Sequence, residues 1–144
     1  MENFEELGGF PMLRKISKIF YDKIYAHPWI GKYFENIRQE HIENQQVDFM
    51  AQVLGGPQMY FGAFVPDAHK HMMITEELFE LRELLLLESF KEAQASPALQ
   101  ERWLKVDRAF KKSVVKKSFE DCAKRFNTDD ILDFSNPDKD KKAA

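Results

Sequence analysis

Apolar residues return every third or fourth position along most of this chain, the period of a helix buried on one side. Leu13, Ile16, Ile19, Phe20 and Ile24 form the first such stripe, with Arg14, Lys15, Lys18 and Asp22 opposite and Tyr21 beside it. Gly8 and Gly9 break the turn before it, Pro11 suits its first turn and Pro28 ends it. Trp29-Ile30-Gly31-Lys32-Tyr33-Phe34 then reads as a short aromatic corner. A second helix is predicted over Ile37–Leu54, with Ile42, Gln45 or Gln46, Phe49, Met50 and Val53 facing inward. Leu54-Gly55-Gly56-Pro57 is a hard stop, and Gly62 and Pro66 keep the next connection irregular. Thr75 caps a third helix with Glu76 and Glu77 in its first turn and Leu78, Phe79, Leu81, Leu84, Leu85 and Phe90 on its inner face. Ser96 and Pro97 open the last long helix, where Leu99, Trp103, Leu104, Val106, Phe110, Val114 and Val115 recur.

Past Ser118, Phe119, Ala123 and Phe126 are expected to continue that helix, and Thr128 to cap a short turn over Asp129–Phe134. Asn136–Ala144 is charged with nothing large to bury, and is expected to be disordered. No segment alternates as a strand does, and there is no internal repeat. The fold class is therefore all-α: one domain over 1–134 with a helical extension from about 119, then a tail over 135–144.

A chain of 144 residues can bury a core of its own. The net charge of −3 gives no reason to expect a nucleic-acid surface, and Lys111, Lys112, Lys116 and Lys117 are read as a solvated helix face. Thirteen Phe and six Met suit a bulky apolar ligand as well as a plain helical core. Cys122 is the lone cysteine, so an internal disulfide is out. Met1–Glu6 is acidic and lacks the apolar core of a signal peptide, and the longest apolar run, Leu84–Leu87, is far too short to span a membrane. The expectation is a cytoplasmic protein without a membrane partner.

The candidate chemistry is narrow. There is no Ser/His/Asp or Cys/His hydrolase signature and no Gly-rich phosphate loop. Four histidines and one cysteine make a closed structural zinc site improbable. His69 and His71, two apart, point away from each other on a helix and do not easily share a metal. His69, before the soft apolar run Met72-Met73-Ile74, is placed to present one imidazole to a large flat apolar ligand. Gln45 and Gln46 interrupt an apolar face; burying an unpartnered amide costs on the order of 1–3 kcal/mol, so they lie at its edge in water or face something polar inside.

Several blocks in order carry a resemblance: Leu7-Gly8-Gly9, Phe20-Tyr21, Tyr33-Phe34, Gln45-Gln46 with Phe49, Leu54-Gly55-Gly56-Pro57 with Tyr60 and Gly62, and His69 with Ile74 and Phe79. Over roughly Leu7–Ser118 the chain resembles the truncated haemoglobins, the shortened two-over-two helical globins, and most of all the first of their groups. The resemblance implies two antiparallel helix pairs around haem b, with His69 as proximal iron ligand and His71 near the haem edge or in solvent. It places Phe34, Ile42, Phe49, Tyr60, Met73 and Phe79 against the haem, and Tyr21, Ile42, Gln45 and Gln46 in the distal ligand pocket. Ile42 stands where many globins keep a distal histidine, and Gln45 where some relatives keep a sixth ligand; His41 is adjacent on another bearing. Arg82 either snorkels to solvent, as we expect, or reaches a haem propionate. The implied partners are dioxygen, nitric oxide and carbon monoxide. An enzymatic role, nitric oxide dioxygenation or a weak peroxidase activity, would need an external reductase. The alternative is a haem-based sensor or an interaction module without turnover.

Overall fold

Gly8 and Gly9 set the start of α1 (Gly9–Ala26): both hold positive φ, 115° and 61°, and a Cβ on Gly8 would lie 2.5 Å from that of Met12. The computed structural model describes residues 2–139, all in helices, turns and irregular segments with no strand among the described residues. α1 buries Leu13, Ile16, Phe20, Tyr21 and Ile24 along one side, as its spacing predicts. A 3-10 corner over Ile30–Phe34 turns the chain into α2 (Gln39–Val53). The glycine stop works through backbone bonds. Gly55, at φ 88°, donates to Gln52 O at 3.2 Å and Gly56 donates to Ala51 O at 2.7 Å, closing the last carbonyls of α2. A Cβ on Gly56 would also meet the Phe4 ring at 2.8 Å.

After a short α3 (Val65–His69), Thr75 Oγ1 accepts from Leu78 N at 3.1 Å to start α4 (Glu76–Ala93). Ser96 does the same for Leu99 N at 3.2 Å to start α5 (Pro97–Ala109), which a break at Phe110 separates from α6 (Lys111–Val114). α1 packs on both α2 and α4. α4 is tied to α5 by the edge-to-face Phe90–Trp103 pair, centroids 5.4 Å apart, and by the Arg108–Glu83 ion pair at 2.8 Å. The pairs α1–α2 and α4–α5 form the two-over-two arrangement, with Phe20, Leu86, Phe90 and Trp103 in the shared core. No helix of the described residues is long and apolar enough to cross a membrane.

Within the helices the pattern misplaces single residues. Val53 and Leu84, read as inward, are exposed, and Val47, Ala51 and Leu86 are buried.

The larger difference lies past α6. The chain does not continue the helix through Phe119, Ala123 and Phe126; there is one 3-10 turn, Phe119–Asp121, and both phenylalanines are exposed. Ser118 and Asp121 bond each other's backbone reciprocally, an alternative the helix cannot match. Asp129, not Thr128, organises the next turn, its carboxylate accepting from the N–H of Arg125 at 2.8 Å and of Phe126 at 3.4 Å. This strap is stitched to the segment between α3 and α4. Ala123 N donates to Lys70 O, Leu132 N to His71 O, Met73 N to Leu132 O and Lys116 N to Ile74 O, at 2.7–2.9 Å. Met72–Leu132 and Ile74–Val115 are isolated parallel bridges. Trp29 Nε1 donates to Phe134 O at 2.7 Å. Beyond it, Asn136 and Lys139 reach Glu77 at 2.8 and 2.9 Å, so the expected disorder does not hold for them, and 140–144 lie outside the described residues.

Candidate functional site

α1, α2, the aromatic corner, α3, α4 and the end of α5 enclose a cavity of about 250 Å³. Its wall brings together Tyr21, Phe34, Ile42, Gln45, Gln46, Phe49, Tyr60, His69 and Phe79. Met73, grouped with these from sequence, is not on the wall. The segment Met72-Met73-Ile74 is bridged at its first and third residues, and Ile74 N donates to Met72 O at 2.9 Å, a tight three-residue turn with Met73 at its centre. Met72 and Ile74 face the cavity; Met73 turns to the strap, with Cys122 Sγ 3.9 Å from its Sδ.

His69 ends α3, and its Nδ1 lies 2.7 Å from the carbonyl of Val65 one turn back. A carbonyl only accepts, so Nδ1 carries the proton and donates. Burial lowers the His69 pKa, which keeps the imidazole neutral and leaves Nε2 with a free lone pair. From behind, Lys116 Nζ donates to His69 O at 2.7 Å and to Val114 O at 2.9 Å. Lys116 is therefore not part of a solvated face, and burial lowers its pKa.

His71 is 6 % exposed, so it is not in solvent; it lines the cavity, and its Nδ1 finds no partner among the described residues. Burial, then the nearby Arg125 charge, pushes its pKa down to about 4. His41 is exposed on an intact α2 and does not line the cavity.

Across the cavity, Tyr21 is 4 % exposed, and burial raises its phenol to about 12, so it stays protonated and able to donate. Its hydroxyl is 3.4 Å from Gln46 Oε1, a long contact, and its ring meets Phe34 edge-on at 6.1 Å. Gln45 and Gln46, both half-buried, line the cavity. Phe49 packs edge-on against Tyr60 at 5.2 Å, and Tyr60 O–H donates to Ala63 O at 2.7 Å, which ties the loop after α2 to the wall.

Arg82 does not snorkel to solvent. It lines the cavity and donates to Asp107 of α5, with its guanidinium 5.2 Å from the Phe20 ring. Sequence reading missed this partner, because Asp107 looks like any polar residue on an amphipathic helix.

Among the described residues no cluster of three His, Cys, Asp or Glu is arranged to hold a metal ion. The neutral His69 imidazole, with Nε2 free, on a largely aromatic and aliphatic wall instead suits a metal that brings its own equatorial ligands, as haem iron does.

The chain is similar to known proteins in sequence and in fold. The family described as bacterial-like globin matches residues 2–116. The group 1 truncated haemoglobin of Tetrahymena thermophila is 38% identical over 77 residues, 54% of this chain and 64% of that protein. That of Mycolicibacterium paratuberculosis is 30% identical over 78 residues, 54% of this chain and 57% of that protein. The match thus spans less than two thirds of the length of these relatives. The crystal structure of truncated haemoglobin from Tetrahymena pyriformis, in the Fe(III) form, aligns with a TM-score of 0.71 at 30% identity, covering 79% of this chain and 97% of that one. The group II truncated haemoglobin of Bacillus anthracis aligns with a TM-score of 0.69 at 20% identity, over 83% and 97% of the two chains, a likeness of fold alone. With its helical pairs, its Gly-Gly stop and its match over 2–116, the chain belongs to the bacterial-like globin family, and its fold is the two-over-two helical globin fold of the truncated haemoglobins.

Proposed function

We propose that this globin holds haem b through His69 and binds diatomic gases, dioxygen first among them, between Tyr21 and Gln46. The family implies haem-based gas binding. The observation that carries it is the His69 Nδ1–Val65 O bond of 2.7 Å, which fixes one tautomer and leaves Nε2 as the free donor atom on an apolar wall. Haem, when bound, supplies an iron with one position open to a gas. Phe34, Ile42, Phe49, Tyr60 and Phe79 would cover its faces and exclude water, and Lys116 would hold the His69 backbone in place. Tyr21 O–H and the Gln46 amide would offer hydrogen bonds to a ligand carrying partial negative charge, each contributing about 1.5–3 kcal/mol with a charged acceptor. Nitric oxide and carbon monoxide are further ligands of the same pocket.

The test is uptake of haem by the purified chain. The protein should turn red with a Soret band, His69→Ala should lose haem or hold it weakly, and His71→Ala should keep the ferrous spectrum. A parent chain that stays colourless with haem supplied would favour an interaction module, and loss of haem with His71→Ala but not His69→Ala would show that the ligand is two residues further on.

A further inference from the structure

Between Asp48 and Asp67 the sequence carries no charged residue, although 31% of the chain is charged. This stretch closes α2 and forms the loop to α3. Of the eight large apolar side chains left exposed among the described residues, it holds four: Val53, Met59, Phe61 and Phe64. Apolar residues scattered singly over a surface are ordinary, whereas several in one short segment mark a surface that something covers. The exposure is built into the loop. Tyr60 turns inward, its ring on Phe49 at 5.2 Å and its hydroxyl bonded to Ala63 O at 2.7 Å. Gly62 gives that ring its space, since a Cβ there would lie 2.5 Å from it. Phe61, between the two, is left 93% exposed, and Phe64, the residue before α3, 69%.

The neighbours of this loop are basic. α3 packs on α6, and Phe49 also meets Phe110, the residue that leads into α6, at 6.1 Å. Over 65–70 and 111–117 there are five lysines and one acid, Asp67. Lys116 turns inward to His69 O, and Lys111 pairs with Glu76 at 3.3 Å. Lys70, Lys112 and Lys117 carry no ion pair among the described residues, so three open cations stand against Asp67 in a chain whose net charge is −3. Beyond them Glu120 is exposed, and the Asp121 carboxylate is engaged by the N–H groups of Lys117 and Ser118. Phe61 and Phe64, at about 150–250 Å² each and with Met59 beside them, fall short of the roughly 800 Å² per partner of a stable protein interface. They suffice for a shallow contact in which apolar tips enter between lipid headgroups and lysines meet anionic lipid. We propose that the loop over 57–64, with Lys70 and Lys112 beside it, docks on the surface of an anionic lipid bilayer. Such a contact needs no spanning helix, and it departs from the sequence expectation that no membrane is a partner. Tyr60 is on the cavity wall, so docking sets that wall against the lipid.

The purified chain is sedimented with vesicles of phosphatidylcholine alone, and with vesicles of phosphatidylcholine and phosphatidylglycerol in equal parts. It should bind the mixed vesicles and hardly the neutral ones. Phe61→Ser and Phe64→Ser should each weaken binding about tenfold. Lys112→Ala should weaken it about fivefold, and raised salt should act in the same direction. All three positions are exposed, so thermal midpoints should stay at the parent value, which separates lost docking from lost folding. In Phe61→Trp the fluorescence should move to shorter wavelength when mixed vesicles are added, while that of the parent, from the buried Trp29 and Trp103, should not. No binding to the mixed vesicles, or binding that neither Phe61→Ser nor Phe64→Ser weakens, would overturn the proposal. So would self-association in light scattering that Phe61→Ser abolishes while no vesicle is bound, since a second copy would then be what covers the loop. None of these readouts uses haem, so a failure here is distinct from a failure of the haem test above.

Discussion

Replacing Tyr21 by phenylalanine removes one oxygen from a ring that is 4 % exposed and otherwise held by Phe20 and Phe34. In the protein at rest little is lost, because the hydroxyl's contact with Gln46 Oε1 is 3.4 Å, beyond the usual 2.5–3.0 Å for O–H···O. The stability change should therefore fall at or below the roughly 0.5–1.5 kcal/mol of an ordinary net hydrogen bond. With dioxygen in the pocket the same hydroxyl faces a charged acceptor, where a donor contributes about 1.5–3 kcal/mol. Since about 1.4 kcal/mol is tenfold in rate, Tyr21→Phe should speed dioxygen release by roughly tenfold to a hundredfold. Carbon monoxide carries less charge on its outer oxygen and should leave at nearly the parent rate. Gln46→Leu should act in the same direction. The double variant should fall short of the product of the two, because the Tyr21–Gln46 contact couples them. Stopped-flow ligand replacement on the ferrous protein measures all of these rates. Equal acceleration for both gases, or none for dioxygen, would show that Tyr21 is packing only.

Two further outcomes follow from the proximal side. Burial lowers the pKa of His69, and that of His71 to about 4, so below the ordinary histidine value of about 6.5 the unfolded chain binds more protons than the folded one. Stability should fall as pH drops from about 6.5 toward 4, and thermal midpoints across that range should show a slope that His71→Leu flattens; a flat parent profile would refute it. Deleting 135–144 should move the thermal midpoint little, because Asn136 and Lys139 each make a single contact with Glu77, one half-buried and one an exposed ion pair. Deleting 123–144 also removes the bonds of Leu132 and Phe134 to Met73, His71 and Trp29, and should lower both the midpoint and haem retention clearly. Equal effects of the two deletions would refute the distinction.

Stops and caps were the most legible part of the chain, since their chemistry is local: Gly55-Gly56, Thr75 and Ser96 act within a few residues of themselves. The residues of the cavity wall were legible where helical periodicity and family resemblance agreed. Met73 was not, because the direction of its side chain is set by bridges from Met72 to Leu132 and from Ile74 to Val115, both distant in sequence. Lys116 and Arg82 were not, because a long cationic side chain on an amphipathic helix looks solvated until its partner is known. Those partners, His69 O and Asp107, lie 47 and 25 residues away. The strap was misread for the same reason: its apolar spacing allows a helix, and only backbone bonds to Lys70–Met73 make the extended form the better one.

The strap also sets an order of events in folding. α1, α2 and α4 meet through contacts that form once the first two thirds of the chain is available, whereas the Trp29–Phe134 bond closes a loop of 105 residues. Closing such a loop is entropically unfavourable until the framework beneath it has formed, so the strap docks late. Because it docks on Lys70–Met73, next to His69, the proximal wall reaches its final shape after the Tyr21 wall does. On the role proposed for His69, haem would then be held firmly only once the strap has docked.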